Sequence, residues 1–236
     1  MTVRRRHVFY IPGYDPFPPR RYRELYRTEA AEQGRISGDT YRVEGMGGER
    51  WRVHAFSEGA DVEAVVEVLI WSDLVRDSMQ SGVLATYGQL VTTAWLYLRT
   101  GALWRLSRLR AGPVLAMLYP SVGLLVQLCF ALLVGGAAVV WLPFPVWATW
   151  AMGLGAAVAL LELCRRRDRR FFIYYLMHDY AHSASAGGAY PPDVEARLDA
   201  FAARIAAARA TDVDEVLVVG HSSGAHMAVS ALARVP

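Results

Sequence analysis

The stretch Val216-Leu217-Val218-Val219-Gly220-His221-Ser222-Ser223-Gly224 decides how this chain is read. An apolar run, residues 216–219, leads straight into a Gly-x-Ser-x-Gly pattern. A small-residue segment, 225–235, follows with helical spacing. That order predicts a strand, a tight turn and a helix. So sharp a turn leaves no room for bulk beside its tip, and the flanking positions must be small. Gly220 and Gly224 meet that demand. Ser222 is then expected in a strained backbone conformation, its hydroxyl lifted clear of the sheet. An ordinary strand-to-helix turn rich in Gly and Ser is the plainer alternative.

In this context, residues 216–235 resemble the nucleophile elbow of the α/β-hydrolase superfamily, in its lipase- and esterase-like branch. A second segment, 8–16, fits the same resemblance. His7-Val8-Phe9-Tyr10-Ile11 reads as a buried strand, ended by Pro12-Gly13 and a proline-rich loop. The resemblance implies that this loop donates one oxyanion-hole amide, from Tyr14 or from Gly13. The amide of Ser223 would be the other. Two such donors stabilise a tetrahedral intermediate by about 3 kcal/mol each. The loop lacks the family's His-Gly pair. The expected fold class is α/β, a partial hydrolase-type sheet with flanking helices, interrupted by a two-helix transmembrane hairpin.

The hairpin is read from residues 111–161, which contain no charged side chain. Spanning hydrocarbon takes about 20 apolar residues, so the run is long enough for two passes. Pro143-Phe144-Pro145 breaks it, and Trp141, Trp147 and Trp150 cluster there as at a membrane–water boundary. Helices are expected over about 122–142 and 146–163, since in lipid only internally hydrogen-bonded segments survive. Gly135, Gly136, Gly153 and Gly155 would allow close packing. Arg105, Arg108 and Arg110 precede the run, and Arg165, Arg166, Arg167, Arg169 and Arg170 follow it. Both flanks are therefore expected on the cytoplasmic side of an inner membrane, near anionic headgroups. The division expected is 1–110 and 165–236 for the hydrolase-like part and 111–164 for the hairpin.

Composition agrees. Hydrophobic residues make up 54% of the 236, against 20% charged, and the excess lies in that one segment. Every basic residue is Arg, which fits a compositional bias better than nucleic-acid binding. The basic N-terminus meets Pro12-Gly13 too soon for a secretory signal. Cys129 and Cys164 read as buried, reduced thiols. Residues 20–33 predict a helix, and 41–44 with 51–56 a hairpin across Gly45-Met46-Gly47-Gly48. Residues 61–71 are ambiguous, with 68–71 the core-strand candidate. Asp73 is expected to cap a helix rather than to catalyse. Residues 78–98 suggest a helix at the membrane interface, or an ordinary core helix. On the helix expected over 171–184, His178 and His182 share a face, but Asp179 does not make a His-Glu-x-x-His zinc motif. A surface or interfacial pair is expected there, with no metal and no cofactor. Residues 193–208 predict the helix that leads into the Ser222 strand.

A serine hydroxyl attacks well only when a histidine takes its proton and an acid orients that histidine. In the resembled family both follow the serine. His226 is the last histidine, and it falls on the helix just after the turn. His221 lies inside the turn. The expectation is a C-terminally truncated chain whose missing part carries acid and base. The function expected is a membrane-anchored serine hydrolase that cleaves esters, lipid-like acyl esters among them, through a Ser222 acyl-enzyme. A non-catalytic, hydrolase-like membrane interaction module is the alternative. A transporter is disfavoured, because the apolar stretch has no charge to handle polar cargo.

Overall fold

Alternating residues in the first third of the chain build most of a sheet, and two long apolar helices build most of the rest. The computed structural model describes residues 3–15, 17–57, 59–76, 79, 81–108 and 111–236. The chain divides into two compact units, Met1–Asp77 with Tyr190–Pro236, and Ser78–Ala189.

The first unit is mixed α/β. Strand β1 (Arg5–Ile11) is followed by α1 (Pro19–Ser37), then β2 (Thr40–Gly47), β3 (Arg50–Ser57), β4 (Ala60–Val68) and the short α2 (Ser72–Val75). After the second unit come α8 (Pro192–Arg209), β5 (Glu215–Gly220) and α9 (Ser223–Leu232). The sheet order is β2-β3-β4-β1-β5. β2, β3 and β4 form an antiparallel meander, while β1 lies parallel to both β4 and β5.

Register fixes the two faces. Tyr10 pairs with Val68 and Trp51 with Val66, so Tyr10, Val68, Val66 and Trp51 share one face. Helix α1 covers it, laying Tyr22 against Tyr10 at 5.6 Å and Tyr26 against Trp51 at 5.7 Å. Phe9, Ile11 and Glu67 take the other face, where Arg204 of α8 meets Glu67 at 2.6 Å. Pro19 starts α1, where its missing N–H goes unused, and Gly38 ends it in the left-handed region at φ 79°.

One reading changes here. The strand among residues 61–71 is β4, ending at Val68. Alternation over Val62, Ala64, Val66 and Val68 decides it, and Leu69 to Trp71 lie past the pairing. β5 is not a buried strand. Among the described residues it pairs only with β1, and Leu217 and Val219 stay 39% and 38% exposed.

The second unit is helical. It holds α3 (Val83–Arg99), α4 (Ala102–Ser107), α5 (Ala111–Trp141), α6 (Val146–Arg166) and α7 (Ile173–Ala184). It is wider than residues 111–164, because α3, α4 and α7 belong to it. α5 and α6 are each long and apolar enough to cross a membrane, with mean hydropathy 2.3 and 1.5 over their most apolar windows. They touch at Gly135 and Gly153. A Cβ on Gly135 would meet the Gly153 carbonyl oxygen at 2.6 Å, so only glycine allows this approach. Gly136 and Gly155 face open space. Cys129 is on the outer surface of α5 and Cys164 is half-buried on α6, both on helices long and apolar enough to span a membrane.

α5 begins well before residue 122 and runs through Pro120. Proline has no N–H to give the carbonyl four residues back, which orphans Ala116. The Tyr180 hydroxyl of α7 donates to that oxygen at 3.0 Å. This contact lets the helix continue past its proline.

α3 has an inverted pattern. Thr86 and Thr93 are buried, while Leu84, Val91, Trp95 and Leu98 are exposed. Ser78 and Gln80, part of the stretch expected to form this helix, lie outside the described residues.

Candidate functional site

The carboxyl ends of β1, β4 and β5 point the same way, because these strands are parallel. The chain leaves β1 toward β4 and arrives later at β5 on the other side of β1. Loops at such a reversal of strand order form the usual crevice of open α/β sheets. The loop after β1 and the turn after β5 meet there.

Ser222 occupies the tip of that turn at φ 54°, ψ −126°. Among the described residues only Phe172, at φ 56°, is another non-glycine with positive φ. The Ser222 geometry lies in a region L-residues rarely enter, at a cost of about 1–3 kcal/mol. The turn is held by Gly224 N–H donating to the His221 carbonyl and Ala225 N–H to the Ser222 carbonyl, each at 2.9 Å. Close packing explains the flanking glycines. A Cβ on Gly220 would stand 2.5 Å from the Ala225 Cα. A Cβ on Gly224 would collide with the carbonyls of Ile11 and Pro12. Ser222 itself is exposed.

The β1 loop is pressed against the turn. His221 N–H donates to the Ile11 carbonyl at 3.0 Å. A Cβ on Gly13 would lie 3.0 Å from Ser222 Cβ and 3.2 Å from the His221 carbonyl oxygen. The loop is anchored from behind. Trp71 Nε1 donates to the Pro12 carbonyl at 2.8 Å, and the wholly buried Tyr14 ring stands edge-on to Trp71, with centroids 6.4 Å apart. Asp15 receives the Phe17 amide at 3.1 Å and the Tyr22 hydroxyl. Pro16 is outside the described residues. Gly13, Tyr14, Gly220, His221, Ser222, Ser223 and Gly224 thus belong to one junction, with Ser223 opening α9.

The titratable residues are arranged otherwise. No histidine among the described residues hydrogen-bonds the Ser222 hydroxyl. His226 is bonded through Nδ1 to Tyr190 at 2.9 Å, and that phenol also meets Ser230 Oγ at 2.9 Å. His178 belongs to the other unit, where it is interfacial and faces α3 rather than the surface. It is buried on α7, with Nδ1 2.7 Å from Gln89 Oε1. Burial lowers its pKa from the ordinary imidazole value. Sequence spacing showed the shared face of His178 and His182 but not which way that face turned. No group of three or more His, Cys, Asp or Glu suited to a metal occurs among the described residues.

Asp73 does not cap α2: Trp71 holds the cap position, and Asp73 lies two residues past it in the first turn. Its carboxylate takes both Arg197 nitrogens, at 2.8 and 2.6 Å, and Arg197 also donates to the Ile70 carbonyl at 2.6 Å. The guanidinium holds the Asp73 carboxyl below its ordinary pKa. This pair ties α8 to the end of β4. Nothing local in the sequence announces it, since its members are 124 residues apart.

No family model, curated protein or solved structure matches the chain. What stands is a mixed α/β unit with a five-stranded mixed sheet, and a helical unit with two helices of membrane-spanning length.

Proposed function

We propose that this chain is a membrane-anchored serine hydrolase that cleaves esters through a Ser222 acyl-enzyme. The observation that carries the reading is the backbone of Ser222, at φ 54°, ψ −126° on an exposed turn between a parallel strand and a helix. An ordinary turn has no reason to keep a non-glycine there; a nucleophile that must project beyond its sheet does. In the reaction Ser222 Oγ bonds to the acyl carbon, its proton passes to a base, and the alcohol leaves with a proton. Water then cleaves the acyl-enzyme and regenerates the hydroxyl. Ser223 and Tyr14, or Gly13 in place of Tyr14, lie on the oxyanion side in this reading. These residues supply the nucleophile half of the chemistry only.

Membrane placement rests on the surface of the helical unit. Leu133, Val140, Trp141 and Trp147 are 72%, 76%, 82% and 77% exposed. A water-soluble protein rarely leaves so large an apolar surface bare. The outward apolar face of α3 adds to it. Arginines on both flanks of the α5–α6 hairpin support, through the positive-inside tendency, a sheet unit on the cytoplasmic side of an inner membrane, and that reading favours lipid-like acyl esters as substrates. No cofactor is required.

A fluorophosphonate probe tests the chemistry. The full-length protein in membranes should label covalently, and Ser222→Ala should not. Labelling that survives the substitution would remove Ser222 from the mechanism. Complete absence of labelling would favour the second reading, a hydrolase-like membrane interaction module. That reading is supported by the lack of a histidine partner for Ser222 among the described residues.

A further inference from the structure

The helical unit contains a groove of about 710 Å³ along one side of α5. Its walls are apolar, including Leu115, Tyr119, Val122 and Val126 of α5 and Phe171 beyond α6. Ile173 closes part of the floor by packing on Gly123, where a Cβ would meet its Cδ1 at 2.7 Å. The α5 wall runs from Leu115 to Gln127, about 18 Å at the helical rise per residue. That length suits one extended fatty-acyl chain.

One charged residue lines the groove, Arg167. It follows α6 in a run of five arginines within six residues, 165–170. Their pairing is uneven. Arg165 and Arg166 are both held by Glu162, at 2.7 and 2.8 Å. The acid between the rest, Asp168, is committed to the backbone amides of Tyr174 and Tyr175 at the start of α7. Arg167, Arg169 and Arg170 have no ion pair among the described residues. An exposed guanidinium without a counter-ion, on the rim of an apolar groove, matches a phosphate whose attached chain is hydrocarbon.

We infer that this groove binds one anionic phospholipid, its acyl chain along α5 and its phosphate on Arg167. The inference uses the membrane placement above but not Ser222, so it stands or falls apart from hydrolysis. The charge favours a lipid: its phosphate would neutralise the cluster, whereas a second copy docked face to face on this groove would bring two unpaired arginine clusters together.

Native mass spectrometry of the full-length protein in detergent tests it. The probes are phosphatidylglycerol and phosphatidylcholine with identical acyl chains. The wild type should retain one phosphatidylglycerol with about fivefold preference over phosphatidylcholine, the effect of one arginine at an anionic surface. Arg167→Gln should abolish the preference, and Arg167→Lys should keep most of it. Arg169→Gln should change little, since Arg169 does not line the groove. Val126→Trp, which fills the groove from an exposed position, should abolish retention of both lipids. Equal losses from Arg167→Gln and Arg169→Gln would overturn the site in favour of diffuse attraction. Retention unaffected by Val126→Trp would overturn it too. So would a lipid-free dimer that Val126→Trp dissociates, which would assign the groove to a second copy.

Discussion

Gly13 lies against Ser222, so closely that a Cβ on the glycine would be 3.0 Å from that of the serine. The end of the first strand and the turn after the last therefore form one junction. Gly13→Val is expected to push the two apart. Probe labelling at Ser222 should fall at least tenfold, and because Gly13 is buried the urea midpoint should fall as well. Gly224→Ala is expected to do more. Its new methyl would enter the backbone of Ile11 and Pro12, and overpacking of this kind costs about 1–3 kcal/mol. Denaturant titration of the two variants checks the difference.

The strain at Ser222 has its own signature, independent of activity. Ser222→Ala keeps a Cβ at φ 54° and should leave stability nearly unchanged. Ser222→Gly relieves the strain, though glycine's freedom in the unfolded chain offsets part of the gain. The glycine variant should be the more stable of the two by about 1 kcal/mol. Equal melting temperatures would contradict a strained turn.

Tyr180 and Pro120 form a natural double-mutant cycle. Tyr180→Phe removes the donor to the Ala116 carbonyl and should destabilise the helical unit by about 1 kcal/mol. Pro120→Ala restores the helical N–H that carbonyl lacks. In that background Tyr180→Phe should cost clearly less. Thermal unfolding in detergent measures the coupling.

Gly135 and Gly153 hold α5 and α6 at backbone contact. Gly135→Leu is expected to separate the helices and lower the melting temperature in detergent. Gly136→Leu, which faces open space, should be tolerated.

Glu67 predicts a pH dependence. Burial raises its pKa, but His7 and Arg204 outweigh burial and leave it below the ordinary carboxylate value. Its unfolded value is about 4.3. A group whose folded pKa is depressed contributes stability that is full above the unfolded value. That contribution disappears as pH falls through the folded one. Glu67→Gln should therefore flatten the acid limb of the stability curve below about pH 4.3. Near neutral pH the same variant should be destabilised by about 1–3 kcal/mol, since Arg204 loses the closer of its two carboxylate partners, Glu67, and keeps Glu49. Urea unfolding at pH 3, 5 and 7 resolves both effects.

Local pattern carried much of this in the amino-acid order alone. Period-two alternation placed β2 and β3, but the strands run further than expected: Gly45 and Gly47 pair within β2, and the turn is Gly48-Glu49 and not the whole Gly45–Gly48 run. Hydropathy and the Pro143 break placed α5 and α6, because a helix in hydrocarbon must be apolar over its whole length. Gly220 and Gly224 marked the tight turn, because a close approach tolerates only a missing side chain. Each of these signals arises from residues near one another in the chain. Tertiary structure alone decided what depends on distant partners. It set Gly13 beside Ser222, paired Asp73 with Arg197, buried His178 against Gln89, and supplied Tyr180 to the carbonyl that Pro120 abandons. It also made β5 an edge strand, since four consecutive apolar residues record a preference for burial but not which neighbours will provide it.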